Sequence, residues 1–355
     1  MSEKAGSDKL DNGAWCPLGD LRHDTIQLAH GGGGRLSQQL LESVFYPAFD
    51  GAAGQVHHDG ALLDVPAGRQ AFTTDSYVVQ PLFFPGGDIG KLAVWGTVND
   101  LAMCGALPVA LSAGFILEEG LAIATLARVV SSMAFAAARS GVNIVTGDTK
   151  VIERCRGDGL YINTAGVGRI IAPEVIGPGR VRQGDVLLVN GDLGRHGIAV
   201  MTQREGFELE SPIDSDCADV VPHVRALLAA GIDVHCLRDL TRGGLASNLV
   251  ELAQSAGVTV TLQETEIPVR DDVAAVCELL GYDPLYVACE GRFVSFVPAA
   301  DAGAALAALH AAGATGARQI GSVSSDSAGQ LLMRGRLGAT RVLDMLSGEQ
   351  LPRIC

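Results

Sequence analysis

The sequence predicts two domains of the α/β or α+β class and a short C-terminal tail. Length is the first observation, because 355 residues suffice for two separate hydrophobic cores. Composition is the second: the chain is rich in glycine and alanine, 48% hydrophobic and only 5% aromatic, which is typical of enzymes with many tight turns. The third is a change of character over residues 172–180, where Pro173, Gly177 and Pro178 indicate a linker.

These observations divide the chain into four parts. Residues 1–24 are polar and of mixed charge, and are predicted to form a flexible arm. Residues 25–172 are predicted to form the N-terminal domain, and residues 173–345 the C-terminal domain. Residues 346–355 form a mobile tail, because Pro352 cannot extend a helix and chain ends are poorly ordered unless they are tied down.

In the first domain, predicted helices and strands alternate. Amphipathic spacing predicts a helix over 36–49, and Asp88 is the predicted N-cap of a helix that begins near Ile89. Gly141 is expected to end a further helix over 125–140. The predicted strands are 70–75, which ends on a carboxylate, 109–117, 143–145, which runs into Gly147-Asp148-Thr149-Lys150, and 160–167.

In the second domain, the strand 186–189 precedes a glycine-rich turn over 191–197. A helix that begins near Leu245 has its N-terminus at Gly243-Gly244, which suits an anion. The remaining predicted elements are helices over 223–230 and 302–312 and strands over 258–262, 293–297, near Ile320 and near Leu331.

Charge and cysteine pattern exclude several function classes. The net charge of −14 would repel a phosphate backbone, so we expect no nucleic-acid partner. No apolar run approaches the ~20 residues that span a bilayer, and the N-terminus lacks a signal-like apolar segment. No Cys-x-x-Cys pair occurs, which argues against a zinc knuckle. The sequence therefore predicts a cytoplasmic protein.

Two features favour nucleotide chemistry, although no Walker motif occurs. The run Gly31–Gly34 allows the backbone to lie closely over phosphates, or it is only a hinge. Asn99 and Asp100 interrupt an apolar helical stripe, where a carboxylate needs a compensating cation, unless that stripe is a solvated edge.

The tail ends in Cys355, and its ten residues would reach about 33 Å when extended, unless they are simply a frayed end.

The segment Asp100–Pro108 fits D-x4-G-A-x-P, which resembles the signature of the ATP-binding superfamily of aminoimidazole ribonucleotide synthetase, selenophosphate synthetase and thiamine-monophosphate kinase. Further stretches resemble its carbamoyl dehydratases of [NiFe]-hydrogenase maturation: His30-Gly31, Gly147–Val151, Arg238–Gly244 and Pro352–Cys355. The resemblance covers about residues 25–355. It implies an aminoimidazole ribonucleotide synthetase-like fold with an N-terminal α/β, ATP-binding domain and a C-terminal α+β domain. The sheet of the N-terminal domain would pair in a homodimer.

The resemblance also implies a reaction and its partners. A carbamoyltransferase, HypF, would load a carboxamide onto Cys355, and this chain would use ATP to convert it to an S-cyano group. The group would then pass to iron on a HypC–HypD scaffold. Two alternatives remain open: a selenophosphate synthetase-like enzyme, for which Cys16 is a candidate thiol, and a non-catalytic scaffold for maturation partners.

Residue types and resemblance together nominate the site. Glu290, between apolar strands, is the predicted general base, and Lys150 would steady the phosphorylated oxygen or relay a proton; the alternatives are a solvated glutamate and a lysine that only pairs with Asp148. The catalytic set is Cys355, Glu290 and Lys150. The predicted Mg²⁺ ligands are Asp75, Asp100 and Asp239. The predicted ATP-binding residues are His30, Gly31, Gly32, Asp75, Asn99, Asp100, Gly147, Asp148, Thr149, Asp239 and Thr241.

Overall fold

The computed structural model describes residues 23–49, 60–65, 67–207, 212–324, 326, 329–346, 351, 354 and 355. Nearly all of the predicted N-terminal arm, Cys16 included, lies outside the described residues, as does part of the predicted tail. None of the helices in the described part is both long and apolar enough to span a bilayer.

The first half of the chain builds an α/β layer. Its helices are α1 (Arg35–Leu40), α2 (Tyr46–Phe49), α3 (Ile89–Met103) and α4 (Ile123–Ser140), with a π-helical turn, Leu41–Phe45, between the first two. Its strands are β1 (Gln70–Tyr77), β2 (Phe83–Phe84), β3 (Gly87–Asp88), β4 (Ala106–Glu118), β5 (Asn143–Ile152) and β6 (Leu160–Ile170).

Four of these strands form one sheet in the order β1-β6-β4-β5, in which only β4 and β5 are parallel. Helix α3 packs on one face. The opposite face, called here the open face, carries the exposed side chains of Phe72 and Ile116. Ile116 pairs with Lys150 in the register, and Asp148 lies two residues before it, so both charged residues lie on the open face.

Local signals explain where the two long helices begin and end. The Asp88 carboxylate accepts hydrogen bonds from the backbone N–H groups of Gly90 and Lys91, which caps α3 as predicted. Gly141 adopts a left-handed conformation, with φ of 65°, and ends α4 as predicted. Strand β5 continues through Gly147–Lys150 instead of ending before them, because β4 pairs with it over that length.

The second half of the chain forms a larger α+β layer. Its helices are α5 (Arg195–Glu205), α6 (Val221–Ala229), α7 (Gly244–Ala256), α8 (Asp271–Leu280) and α9 (Ala302–Ala311). Its strands are β7 (Asp185–Val189), β8 (Cys236–Asp239), β9 (Thr259–Gln263), β10 (Phe293–Pro298), β11 (Arg318–Ser324), β12 (Gln330–Arg334) and β13 (Thr340–Leu343). Their order in the sheet is β13-β12-β9-β11-β7-β10-β8.

This second sheet is buried on both faces. Leu188 of β7 joins one apolar cluster, and its neighbours Leu187 and Val189 join another. The first of these clusters also contains Leu92 of α3, so the two halves of the chain share a core. Strand β8, at the sheet edge, contacts α3. The junction between the halves is therefore packed and not a loose hinge.

The described end of the chain belongs to the same core. Leu351 and Ile354 are 8% and 4% exposed, and both join the cluster that the two halves share. Cys355 is half-buried and packs against it. The sequence predicts a mobile tail, whereas the structure shows its last residues docked inside the molecule, held by apolar burial.

Candidate active site

Two aspartates from distant parts of the sequence meet where the halves join, and a third lies nearby. Asp100, on α3, lies beside Asp239, at the end of β8, and the two carboxyls shift each other's pKa. Thr73, on β1, donates a hydrogen bond of 2.8 Å to the other side of the Asp100 carboxyl. Asp75 lies two residues further along β1, on the face that α3 covers.

The charge of these carboxyls is poorly compensated. Burial raises the pKa of Asp239 to about 7, and the negative charge of Asp100 adds to the rise, against the opposing charge of Arg238. Burial also raises the pKa of Asp100, although the hydrogen bond from Thr73 opposes it. In both cases Asp75 contributes further repulsion. A proton or a bound cation is thus needed to compensate the negative charge of Asp100 and Asp239.

We tested whether these groups suit the predicted Mg²⁺. No three His, Cys, Asp or Glu side chains are arranged as a ready-made metal site in the part of the chain that the structure describes. However, Mg²⁺ often takes only one or two carboxylates and completes its shell with water and phosphate oxygens. Asp100 and Asp239 therefore fit a magnesium ion held jointly with a nucleotide, and a role for Asp75 as third ligand stays a prediction.

The C-terminal cysteine lies in this same region. The Cys355 thiol lies beside the Glu290 carboxyl, close enough for each group to shift the pKa of the other. Burial raises the pKa of Cys355 well above its usual value, and the charge of Glu290 raises it further, against the opposing charge of Arg242. The docked sulfur is therefore held as a neutral thiol. We call Cys355, Glu290, Asp75, Asp100 and Asp239 the tail pocket.

Glu290 is held rigidly and almost without solvent. Its side chain is 4% exposed, which excludes the alternative of a solvated turn residue. Its backbone N–H donates to the Asp216 carboxylate at 2.7 Å, and its backbone oxygen accepts from Asn99 at 3.3 Å. Burial is the main reason that its pKa is raised well above the usual range, followed by the charges of Asp239 and Asp216. Its Oε1 atom has no hydrogen-bond partner among the described residues.

Asn99 makes contacts that its sequence position did not predict. Its Nδ2 donates to the backbone oxygens of Ala218 (3.0 Å) and Glu290 (3.3 Å), and its Oδ1 accepts from the Val220 N–H (2.9 Å). These three backbone groups use both donor hydrogens of the amide and one lone pair of its oxygen. Asn99 thus fastens α3 to the second half of the chain, and its contact with a nucleotide stays a prediction.

A second group of predicted residues lines a cavity of about 740 Å³. The polar part of this glycine-lined cavity consists of His30, Gly31, Gly32, Gly33, Ser37, Gly147, Asp148, Thr149 and Lys150. The apolar part includes Leu40, Phe45, Tyr46, Phe49, Phe115 and Ile144. A cavity with a glycine loop on one side and aromatic residues on another suits a nucleotide.

The glycine loop is fixed to strand β5. A Cβ atom at Gly31 would lie 2.7 Å from the backbone nitrogen of Val151, so only glycine allows the loop to lie this close. His30 is buried, and its Nδ1 accepts a hydrogen bond of 2.9 Å from the Gln27 N–H. The proton of the neutral ring is then on Nε2. Burial lowers the pKa of His30, which keeps the ring neutral.

The structure places the two groups of predicted residues at opposite edges of the first sheet. The tail pocket adjoins β1, whereas Lys150 lies on β5. Lys150 makes an ion pair of 3.3 Å with Asp148, and their side chains are 65% and 73% exposed. Within one chain, Lys150 thus pairs with Asp148, as the alternative to a catalytic role predicted. It does not lie near Glu290. Thr241 lies two residues after Asp239, in the loop before α7, where its backbone oxygen accepts from Gly244 N–H.

The sequence reasoning missed two residues of the tail pocket region. Tyr77 lies two residues after Asp75 on the same face of β1, and its phenol is buried close to Asp75 and Glu290, whose charges help to raise its pKa after burial itself. That two-residue spacing on a strand was a usable signal. Asp216 lies outside helices and strands and gave no local signal.

Comparison with known proteins agrees with this geometry. Models of the N-terminal and C-terminal domains of the AIR synthase related proteins match residues 57–170 and 182–333. A carbamoyl dehydratase HypE of Rhodobacter capsulatus is 52% identical over 338 residues, or 94% of this chain and 99% of that protein. The chain belongs to the HypE family of carbamoyl dehydratases.

Solved structures of HypE proteins have the same fold. A crystal structure of HypE in complex with ATP has a TM-score of 0.90 and 46% identity, over 93% of this chain and all of that chain. HypE in a complex with HypF has a TM-score of 0.76 and 39% identity, over 88% of this chain and all of that chain. The predicted two-domain fold is thus confirmed, as is the enzyme class, a dehydratase of hydrogenase maturation. Neither sequence alternative, the selenophosphate synthetase-like enzyme or the non-catalytic scaffold, is favoured.

Proposed function

We propose that this chain uses ATP to remove water from a carbamoyl group on Cys355, leaving an S-cyano group for donation to iron in [NiFe]-hydrogenase maturation. The observation that carries the proposal is the contact between the Cys355 thiol and the buried Glu290 carboxyl. The pair Asp100–Asp239 lies in the same pocket. A carrier sulfur, a proton acceptor and a cation site are the groups that this dehydration needs.

The proposed reaction has two stages. The carboxamide oxygen first attacks the γ-phosphorus of ATP, and the bond between that phosphorus and ADP breaks. The carbon–oxygen bond then breaks and phosphate leaves, while both protons leave the nitrogen and the carbon–nitrogen triple bond forms. The carboxamide and ATP thus become the S-cyano group, ADP, hydrogen phosphate and one proton.

Glu290 suits the role of proton acceptor. Its free Oε1 atom is available to the nitrogen of a carboxamide on Cys355. A carboxylate whose pKa is raised is a stronger base once it is ionised, which favours proton removal from a weakly acidic N–H. Burial also disfavours the Cys355 thiolate, so the carbon–sulfur bond is not the one that breaks.

Mg²⁺ would be held by Asp100 and Asp239, with Asp75 as the proposed third ligand, and when bound it would neutralise charge on the transferred phosphoryl group. The chain's own carboxylates hold and orient it. Thr73 assists, because its hydrogen bond fixes the Asp100 carboxyl toward Asp239.

A homodimer would bring the glycine-lined cavity of one copy to the tail pocket of another. On the open face, Phe72 is 72% and Ile116 43% exposed, and apolar side chains exposed together on one face are typical of a protein–protein contact. Lys150 lies on the same face. We propose that the open faces of two copies meet and that Lys150 acts on the substrate held by the other copy, with ATP bound by the glycine loop, Gly147, Asp148 and Thr149 and extending toward Asp239 and Thr241.

The proposed partners follow from the family. A HypE–HypF complex exists among the similar structures, which supports a HypF carbamoyltransferase as donor. A HypC–HypD iron scaffold is the proposed acceptor, and the cytoplasm is the proposed location. The acidic surface, with a net charge of −14, remains incompatible with a nucleic-acid partner.

Intact-mass analysis tests the proposed reaction. Carbamoylated protein given Mg-ATP should lose the mass of one water, located on the C-terminal peptide. Cys355→Ala should take up no carbamoyl group yet bind ATP as the wild type does. Glu290→Gln should be carbamoylated but should lose water at least about 100-fold more slowly, because the proton acceptor is gone.

Cys104→Ala is the matched control, since it removes an exposed thiol elsewhere. It should lose water at the wild-type rate. Loss of water from another peptide, or an unchanged rate in Glu290→Gln, would contradict the proposal.

A further inference from the structure

The end of the chain is held by a histidine that the proposed reaction does not use. His196, in the first turn of α5, is fully buried. Its Nε2 lies 2.8 Å from the backbone oxygen of Ile354, the residue before Cys355. A carbonyl oxygen only accepts hydrogen bonds, so Nε2 carries the proton and donates it.

The other ring nitrogen has a defined role as well. Nδ1 of His196 lies 2.9 Å from Ser215 Oγ, and burial lowers the pKa of His196, which keeps the ring neutral. Nδ1 therefore accepts from the Ser215 hydroxyl. Ser215 Oγ in turn accepts from the Cys217 N–H at 3.1 Å. The Ile354 carbonyl requires the tautomer of His196 with its proton on Nε2, and the Ser215 hydroxyl favours that tautomer by donating to Nδ1.

The same segment also holds the proton acceptor. Asp216, the residue after Ser215, accepts the hydrogen bond from the Glu290 backbone at 2.7 Å. Ser215 itself donates its backbone N–H to the Pro85 oxygen at 2.8 Å, which ties this segment to the first half of the chain. Two consecutive residues therefore hold the histidine that contacts Ile354 and the glutamate that contacts Cys355.

An apolar contact holds the tail at a second place. A Cβ atom at Gly197, beside His196, would lie 3.1 Å from Leu351 Cδ1 and would overlap Val287 Cγ1. The glycine thus leaves room for Leu351 against α5. Leu351 would keep this contact without His196, but Cys355, four residues further on, would no longer be fixed.

We propose that His196 is a positioning residue that holds the docked tail through its hydrogen bond to the Ile354 carbonyl, a contact called here the latch. Ser215 and Asp216 fix the position of His196 relative to Glu290. The latch determines how much of the time Cys355 lies against Glu290. Its effect on turnover rests on the proposed function, whereas its effect on docking does not.

Alkylation of the full-length protein without carbamoylation tests the latch. Iodoacetamide labelling is followed by peptide mass analysis, with the exposed thiols of Cys104 and Cys155 as internal references. In His196→Leu, labelling of Cys355 relative to these references should rise about fivefold to tenfold, the usual effect of one lost hydrogen bond. His196→Gln keeps a side-chain N–H donor and should restore most of the protection.

Ser215→Ala provides a second test that does not depend on the folding of a His196 variant. It should raise Cys355 labelling in the same direction but less, because Nε2 can still donate when the tautomer is no longer selected. An unchanged labelling ratio in Ser215→Ala and in a folded His196→Leu would overturn the latch. An equal rise at all three cysteines would overturn it too, because it indicates general loosening.

Turnover separates the latch from the proposed reaction. In His196→Leu, kcat for water loss should fall while the KM for ATP stays near the wild-type value, because only the position of the tail changes. If wild-type protein loses no water but the labelling ratios change as expected, the proposed function fails and the latch stands.

Discussion

The tail pocket and the glycine-lined cavity contrast in how firmly they hold their groups. In the tail pocket, Glu290 is 4% exposed and fastened by Asn99 and Asp216. In the cavity, Lys150 and Asp148 are mostly exposed and contact each other. The tail pocket therefore holds its chemical groups in place within one chain. The glycine-lined cavity needs the proposed nucleotide or the second copy to complete it.

This difference separates two requirements of the proposed reaction. Proton transfer benefits from burial, because burial shifts the pKa of carboxyls such as Glu290 and Asp239. Nucleotide exchange needs an opening, because ATP must enter and ADP must leave in every cycle. Substitutions in the tail pocket should thus change stability as well as rate, and those in the cavity should change binding and rate alone.

The largest predicted effect tests whether Lys150 of one copy acts together with Glu290 of the other copy. Lys150→Ala and Glu290→Gln should each be inactive alone. After mixing and subunit exchange, half of the dimers contain one copy of each variant, and one of their two sites has both Glu290 and the other copy's Lys150. Water loss should therefore recover to about one quarter of the wild-type rate.

A mixture that stays inactive, although mixed dimers are shown by mass, would mean that Lys150 serves its own chain. The control is Lys150→Ala mixed with Cys104→Ala, in which half of all sites keep a Lys150. That mixture should retain about half of the wild-type rate.

The fold was predictable where its signals are local. Asp88 and Gly141 mark helix ends by capping chemistry that depends on a few neighbouring residues. Helix α5 was missed, because it begins within a glycine-rich stretch and its residues 196–202 are all buried, so no polar face alternates with an apolar one. Helix α8 and strand β8 were also missed; β8 is only four residues long.

The site was predictable residue by residue but not as an arrangement. Asp100, Asp239, Glu290 and Cys355 were nominated separately, and nothing in the sequence shows that they share one pocket. Their contacts join residues that are more than 60 positions apart, and such contacts depend on the packing of both halves. The contacts of Asn99 were not predictable for the same reason, because its partners Ala218, Val220 and Glu290 come from the other half.

The next prediction concerns the pH dependence of stability. The pKa of Glu290 is raised in the folded protein, so between its unfolded and folded pKa values the folded state binds more protons than the unfolded state. Stability from this group is present at low pH and is lost as pH rises through that window, by up to about 1.4 kcal/mol per pH unit. In Glu290→Gln the group cannot titrate, so its stability relative to wild type should increase as pH rises above about 4.5.

Urea unfolding of both proteins at a series of pH values measures this difference. Glu205→Gln makes the same chemical change at an exposed position on α5, and it should follow the wild-type curve. Parallel curves for wild type and Glu290→Gln would contradict the assignment of Glu290 as a buried carboxyl that resists ionisation.

The last prediction separates the role of Asn99 from that of Lys150. Asn99→Ala leaves buried backbone groups of Ala218, Val220 and Glu290 without their partner, so it should lower the free energy of unfolding by about 2–4 kcal/mol. Its affinity for a non-hydrolysable ATP analogue should not change. Lys150→Ala removes only an exposed ion pair and should alter stability by less than about 0.5 kcal/mol.

Urea unfolding and calorimetric titration of the analogue give both quantities for both variants. If Asn99→Ala unfolds like the wild type but binds the analogue more weakly, then Asn99 contacts the nucleotide, as its sequence position predicted. If it is destabilised and still binds, its amide holds the two halves together beneath Glu290. The second outcome would show that the tail pocket depends on packing between the halves, because one side chain of α3 then fixes the proton acceptor without touching any substrate.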